Sequence, residues 1–306
     1  MRTQINSCNM LKIYGFGNAL IDIEVSITEQ ELTALNINKS SMVHINSEQK
    51  DSWLNKFKTK IISKEPGGSI ANSLHAASSQ GSTCFFSCSL GDDEERELFL
   101  KGFNGSSVET ISKLSKDPTG TCFIFVTPDG ERTMASHLSA NENLITSCID
   151  QDKLSESNWL LFDAFSVCTE NGFNTAQYTL ELAKKNNLKI AFGIADVNLI
   201  KTNFNEIKWV LDQSIDLVFG NKNEISLLKQ LLETQADILC SNGSEGCTFN
   251  SIKVKAKSIP VVNTNGAGDA LLGIFLSQLG LTDQKLALTK AVDYATQICL
   301  ISGPRK

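Results

Sequence analysis

The chain has 306 residues, 41% hydrophobic and 20% charged, which allows a full buried core and excludes a disordered or fibrous protein. A formal net charge of −6 excludes the basic footprint of a nucleic-acid binder. Nine cysteines without a CxxC pair read as reduced thiols, Met1–Lys12 lacks the apolar core of a signal peptide and no apolar run reaches membrane-spanning length, so a soluble cytoplasmic protein is expected.

In chain order, Leu11 to Val25 is strand-like: Ile13-Tyr14-Gly15-Phe16-Gly17, then Ile21, Ile23 and Val25 alternating with Asp22 and Glu24. Gly15-Phe16-Gly17-Asn18-Ala19-Leu20 superficially matches a dinucleotide fingerprint, but Leu20 stands at the third glycine and a strand follows where a helix is required, which counts against a dehydrogenase. Met42 to Ile45 is a further short strand. Pro66-Gly67-Gly68-Ser69-Ile70-Ala71-Asn72 joins a glycine turn to a helix and lets a ligand approach the backbone; the plainer alternative makes Ser69 an N-cap and Asn72 a solvated residue. Cys84 to Leu90 predicts a strand with Cys84 and Cys88 in the core, followed by a helix over Glu94 to Asn104. Cys122 to Thr127, the turn Pro128-Asp129-Gly130 and Arg132 to Met134 predict a hairpin that joins Ile21–Val25 and Met42–Ile45 in a small sheet standing off the main body.

Strand and helix then alternate: Trp159–Phe162 before Gly172–Asn186, Lys189–Gly193 before Phe204–Ser214, and Leu217–Phe219 before Lys222–Leu232. This predicts a parallel sheet covered by helices, with ligands beyond the carboxyl ends of the strands, where Asp92, Asp93, Asp163, Asp196, Asn221 and Ser241-Asn242-Gly243 lie. Asn221 and Glu224 share one helix face and suit a hydrated Mg²⁺, although Asn with Glu three residues on is also a capping box. No Walker A sequence occurs. Asn263-Thr264-Asn265-Gly266-Ala267-Gly268-Asp269 feeds an apolar helix, so unpaired N–H groups there favour an anion, and Asp269 either places a base beside it or only complements the helix dipole. A last helix, Asp283 to Ser302, turns Leu288, Val292, Ala295 and Cys299 to the core.

These pieces together resemble the ribokinase-like carbohydrate kinases, the B-type phosphofructokinase family. The ordered match comprises Gly17-Asn18-Ala19 with Asp22, Gly67-Gly68 with Asn72, Gly91-Asp92-Asp93, Thr119-Gly120, Asn221 with Glu224, Ser241-Asn242-Gly243 with Gly246, and Gly266-Ala267-Gly268-Asp269. Gly17-Asn18-Ala19-Leu20-Ile21-Asp22 and Gly130-Glu131-Arg132-Thr133-Met134 look most like the branch of adenosine kinase and related bacterial sugar kinases.

The resemblance implies a three-layer α/β/α fold with a mostly parallel central sheet, residues 1–306 forming one kinase domain, and a small β-sheet lid built from about 18–47 and 119–137. It implies ATP and Mg²⁺ as cofactors and a monomer or homodimer acting on a small sugar or nucleoside. Asp269 is then the base that deprotonates the acceptor hydroxyl, and the amides of Gly266, Ala267 and Gly268 stabilise the transferred phosphoryl group. Asn18, Asp22, Gly68 and Asn72 bind the acceptor, Asn221, Ser241, Gly243 and Gly246 the nucleotide, and Asn221 with Glu224 the metal. Two departures concern the monovalent-cation site found in several members: Asn263 and Asn265 stand where Asp and Thr are common, and little chain follows Gly303-Pro304-Arg305, so K⁺ activation is doubtful. Met42, Val43, Phe123, Phe125 and Met134 offer apolar walls for a nucleobase or belong to the core. The leading expectation is a kinase for a ribonucleoside or free sugar, with a fructokinase- or ribokinase-type enzyme and a non-catalytic nucleotide- or sugar-binding regulator as alternatives.

Overall fold

Two sheets share the chain in the computed structural model, which describes residues 10–306; residues 1–9 of the Met1–Lys12 segment lie outside the described residues. The strand Lys12–Phe16 runs in the larger sheet, and after Gly17-Asn18-Ala19 the strand Leu20–Ser26 runs in the smaller one, so the first turn of the chain passes between them. The larger, nine-stranded sheet has the order Ile252–Val254, Cys247–Phe249, Asp237–Ser241, Leu217–Asn221, Lys189–Gly193, Trp159–Asp163, Lys12–Phe16, Thr83–Leu90, Val108–Leu114. Its first seven strands from the Val108–Leu114 edge pair in parallel and only the hairpin at the other edge is antiparallel. The strand Val108–Leu114 has no counterpart in the sequence reading, because its half-buried edge alternates too weakly to stand out.

Period-two alternation divides the core between the two faces of this sheet. Ile13, Phe86, Leu161, Ala191 and Leu239 pack under helices Ser69–Ser78, Ala267–Gln278 and Gln284–Ile298. Tyr14, Phe16, Phe162, Phe192 and Val218 pack under Glu170–Lys185, Phe204–Leu211 and Lys222–Leu231. This is the expected three-layer α/β/α arrangement, and Cys84 and Cys88 are fully buried in it. The eight described cysteines are free thiols. Among the described residues no helix is long and apolar enough to cross a membrane.

The helices Ser69–Ser78 and Ala267–Gln278 cross in close contact: a Cβ added to Gly273 would lie 1.9 Å from the Ser73 carbonyl oxygen. Only glycine lets the two backbones meet there, and the crossing brings both helix N-termini to one place.

The smaller sheet has five strands in the order Met42–His44, Arg132–His137, Gly120–Val126, Leu20–Ser26, Ile61–Pro66. The hairpin and its two expected companions are present, but the edge is Ile61–Pro66, outside the expected 18–47 and 119–137 segments. Leu20–Ser26 is therefore an interior strand, paired on both sides. Phe123 and Phe125 stack on each other 5.7 Å apart and meet Trp53 edge-on, on the face of this sheet away from the larger one's strand ends.

Candidate active site

Gly68 and Gly266 are the N-caps of the two crossing helices, with φ of +91° and +74°, and neither cap has a side-chain hydrogen bond. First-turn N–H groups of both helices are thus left for a ligand, except that of Ala267, which donates to the Thr264 carbonyl at 3.3 Å. Ser69 is the first residue of its helix and not the cap, and Asn72 is only 4% exposed, so neither the N-cap nor the solvated alternative describes them. Both side chains reach across to Asp269: Ser69 Oγ donates to Oδ1 at 2.5 Å and Asn72 Nδ2 to Oδ2 at 2.9 Å. Burial raises the pKa of Asp269, while these two donors and the nearby Arg305 charge act in the opposite direction.

Two cavities meet at this carboxylate, one of about 320 Å³ and one of about 170 Å³, and Ser69, Asp163, Ala195 and Asp269 line both. The first holds all four expected acceptor residues, Asn18, Asp22, Gly68 and Asn72. Asp22 accepts from Asn265 Nδ2 at 3.0 Å, and its carboxylate lies so close to Gly67 that an added Cβ would be 2.2 Å from Oδ1. Burial pushes Asp22 up to about 6, against the Asn265 hydrogen bond and the Arg305 charge. Arg132 closes the cavity from the smaller sheet and donates to Thr264 Oγ1 at 3.1 Å. Met42 and Met134 line the cavity, whereas Phe123 and Phe125 are fully buried core. Their strand neighbours Cys122 and Ile124 line it instead, as the two-residue period requires.

Asn263 and Asn265, where the family pattern has Asp and Thr, face carboxylates: Asn263 Nδ2 donates to Glu24 at 3.2 Å and Asn265 Nδ2 to Asp22. An Asp at 263 would set two like charges together.

The second cavity gathers Asn221, Glu224, Ser241 and Gly268 beside Asp269. Asn221 and Glu224 form the capping box: Asn221 Oδ1 accepts from the Asn223 and Glu224 N–H groups, and Glu224 accepts from the Asn221 N–H at 2.8 Å and Nδ2 at 2.5 Å. Burial pushes Glu224 up to about 7 and the Asp196 charge adds to it. A buried carboxylate facing a cavity beside a carboxamide and a hydroxyl is an oxygen donor set that fits a hydrated Mg²⁺.

Gly266 faces the first cavity, Gly268 the second, and Ala267 neither. Gly243 and Gly246 also line neither cavity. Gly246, at φ +96°, serves the hairpin between Asp237–Ser241 and Cys247–Phe249, where a Cβ would lie 2.1 Å from the Val254 carbonyl oxygen. Asp163, expected only as a polar residue at a strand end, and Ser69, Asn265 and Arg305 are among the lining or bracing residues that had no assigned role. Asp163 lines both cavities, accepts from Ser166 N–H and Oγ at 2.9 and 2.6 Å, and is pushed up to about 6 by burial, with Asp269 adding to the shift. Its position as the first polar residue after an apolar strand was its signal. Ser69, Asn265 and Arg305 carry no comparable one.

Residues 42–302 match the family model described as pfkB family carbohydrate kinase. The chain belongs to that family, and it is accordingly a carbohydrate or nucleoside kinase, a phosphotransferase of ribokinase-like fold. It is 27% identical to a ribokinase of Dictyostelium discoideum, over 78% of this chain and 84% of that one. It is 25% identical to adenosine kinase 2 of Arabidopsis thaliana, over 94% and 93%. Its fold superposes on adenosine kinase from Sinorhizobium meliloti with a TM-score of 0.87 at 21% identity, covering 97% and 96% of the two chains.

Proposed function

We propose that the protein transfers the γ-phosphate of ATP to the primary hydroxyl of a ribonucleoside, with Asp269 as the base. The observation that carries this reading is the position of Asp269 at the junction of two cavities, so that one carboxylate faces both an acceptor and a phosphate. Asp22, Asn72 and Asn18 hold acceptor hydroxyls in the larger cavity. Asp269 takes the proton of the attacking hydroxyl, its oxygen forms the bond to the γ-phosphorus, and the bond to the β–γ bridging oxygen breaks to release ADP. Amides of Gly266 and Gly268 at the helix N-terminus balance charge on the moving group, while the expected Ala267 amide is taken up by the Thr264 carbonyl. Asn221 and Glu224 would hold Mg²⁺, which when bound neutralises phosphate charge. Ser241 borders the nucleotide side, and the turn held by Gly243 and Gly246 shapes its rim. The smaller sheet acts as the lid that keeps water from the phosphoryl group, with Ile61–Pro66 as part of it.

The choice of a ribonucleoside rests on the mixed lining of the larger cavity. Polar Asn18, Asp22, Asn72, Asp269, Arg132 and Ser136 share it with apolar Leu20, Met42, Ile124, Met134, Leu138 and Phe165. A ribonucleoside joins a polar ribose to a base with apolar faces and uses both, whereas a free sugar carries hydroxyls on all sides and would leave some against apolar wall. K⁺ dependence is not expected, because the amides of Asn263 and Asn265 already meet Glu24 and Asp22.

Production of ADP with a panel of ribonucleosides, ribose, fructose and fructose phosphates tests this reading. Preference for a ribonucleoside supports it, and preference for a free sugar transfers the acceptor site to a ribokinase- or fructokinase-type enzyme. No turnover with any acceptor, with nucleotide still bound, refutes the kinase reading in favour of a regulator. Replacing K⁺ with a bulky organic cation is expected to leave the rate unchanged.

A further inference from the structure

The mechanism above uses Asp269, Asn72 and Asp22 but gives no role to Arg305, on the Gly303–Lys306 segment that folds back over the catalytic loop. Pro304 in that segment lies against Gly266, where an added Cβ would be 2.6 Å from its ring. The Arg305 guanidinium packs on Phe103, 4.5 Å from the ring centre, and near Phe99 at 5.5 Å. Its Nε donates to Asn72 Oδ1 at 2.9 Å, its Nη2 to the Gly67 carbonyl at 2.9 Å and its Nη1 to the Gly102 carbonyl at 3.4 Å.

A carboxamide has a donor end and an acceptor end, and a half-turn exchanges them. Nε–H held at Asn72 Oδ1 leaves only the NH₂ end for Asp269. Without that anchor the oxygen end is free to face the carboxylate, where two acceptors repel. The same guanidinium holds the Gly67 carbonyl, and Gly67 is the residue against which the Asp22 carboxylate lies.

We propose that Arg305 is a positioning residue for phosphoryl transfer: it fixes the Asn72 carboxamide so that its NH₂ orients Asp269, and it steadies the turn that seats Asp22. The inference rests on the reading of Asp269 as the base. Burial lowers Arg305 to about 10 while Asp22 and Asp269 raise it, so the group is a cation throughout the neutral range.

Arg305→Gln tests it. The charged and titratable groups facing Asp269 are Asp22 and Asp163, Arg132 from the smaller sheet, Glu224 across the second cavity, and Arg305; all but the last remain in the variant. A folded Arg305→Gln protein, judged by thermal melting and an unchanged KM for ATP, is expected to lose about 10²-fold in kcat. The acid limb of its kcat/KM profile should move to higher pH, because a positive charge beside the base is gone. Arg305→Lys should keep the limb in place and lose about tenfold in rate, since a point charge cannot serve three acceptors as the planar fork does. The double variant Asn72→Ala with Arg305→Gln should lose less than the product of the two single losses, because the part of the Arg305 effect that runs through Asn72 is already gone. A folded Arg305→Gln enzyme with normal kcat and pH profile, or additive losses in the double variant, overturns the proposal. If Arg305→Gln does not fold, a normal rate in Arg305→Lys overturns it and a tenfold loss with an unmoved limb supports it. Asp269→Asn separates the two levels. Normal turnover there removes the base and this inference together, whereas an inactive Asp269→Asn beside a fully active Arg305→Lys removes this inference alone.

Discussion

The two cavities that meet at Asp269 are built in opposite ways. On the acceptor side the hydrogen bonds that close and order the site include ones that join residues 132 to 243 positions apart: Arg132 to Thr264, Asn72 and Ser69 to Asp269, Arg305 to Asn72, Asn265 to Asp22. On the nucleotide side they join residues two or three positions apart within the Asn221–Glu224 box. A local box forms wherever a helix starts and stabilises that helix whether or not a ligand comes. The long-range set forms only when both sheets and the crossing helices are in place, and it encloses three carboxylates, Asp22, Asp163 and Asp269, that burial disfavours. Such an arrangement costs stability, so it points to function more strongly than the box does.

Asp269 belongs to both sides, and its replacement is expected to have the largest effect. Asp269→Asn keeps the size and the contacts with both cavities while removing the proposed base, a loss that typically costs about 10²–10⁴-fold in rate. ATP affinity should be spared. Steady-state kinetics with the best acceptor, together with nucleotide titration, check this, and a near-normal kcat would take the base role from Asp269.

Asp22 tests whether the acceptor side stands apart from the nucleotide side. Its carboxylate can accept two hydroxyls through charge-assisted bonds worth about 1.5–3 kcal/mol each. Asp22→Ala should therefore raise the acceptor KM at least tenfold and lower kcat, because a loosely held hydroxyl no longer lines up with the phosphorus. The ATP KM should hardly move. Isothermal titration with the acceptor decides, and unchanged affinity would return Asp22 to a purely structural role.

The same contrast explains which features were legible from residues alone. Strand–helix alternation and the hairpin are local patterns, and the structure bears them out; of the carboxyl-end polar residues, Asp163, Asn221 and Ser241 line a cavity, whereas Asp92, Asp93 and Asp196 line neither. The glycine N-cap at Gly266 and the Asn221 box were likewise readable within a few residues. Arg305, Ser69 and Asn265 were not, since their partners are set by the crossing at Gly273 and by the fold-back of Gly303–Lys306, neither of which has a periodic signature. For Phe123 and Phe125 the strand was evident but the choice between cavity wall and core stayed open, since which of its two faces meets the cavity depends on pairing with Leu20–Ser26 and Arg132–His137. Val108–Leu114 and Ile61–Pro66 escaped because edge strands with charged, half-exposed residues do not alternate cleanly.

Asp163 measures what the buried charge of the shared wall costs. It is 4% exposed and pushed from 3.8 up to about 6, chiefly by burial. Below about pH 4 the carboxyl is protonated folded or unfolded, and between about 4 and 6 the folded state binds more protons, so ligand-free stability falls as pH rises through this window. Asn at this position still accepts from Ser166 and carries no charge. Asp163→Asn is expected to stabilise the ligand-free protein by about 1–3 kcal/mol at neutral pH and by nothing below about pH 4. Urea unfolding of both proteins at the two pH values checks it, and a pH-independent difference would mean that packing rather than charge is responsible.

Glu224→Gln, with the smallest expected effect, asks whether the nucleotide-side box is more than a cap. Glutamine can still accept from the Asn221 N–H through its one oxygen but loses the bond from Asn221 Nδ2, so the helix start should be kept with a small fall in melting temperature. What disappears is one charge facing the smaller cavity, and a water-mediated contact to a metal is screened and weak, about 0.2–1 kcal/mol. The Mg²⁺ concentration for half-maximal rate should rise by about two- to fivefold with little change at saturating metal. Asn221→Asp provides the opposite arm: it keeps the cap acceptor and adds a charge, so it should lower that concentration if the pair faces the metal. Two unchanged Mg²⁺ titrations would show that Asn221 and Glu224 serve only the helix, and that the nucleotide side owes its metal to groups elsewhere on the strand ends.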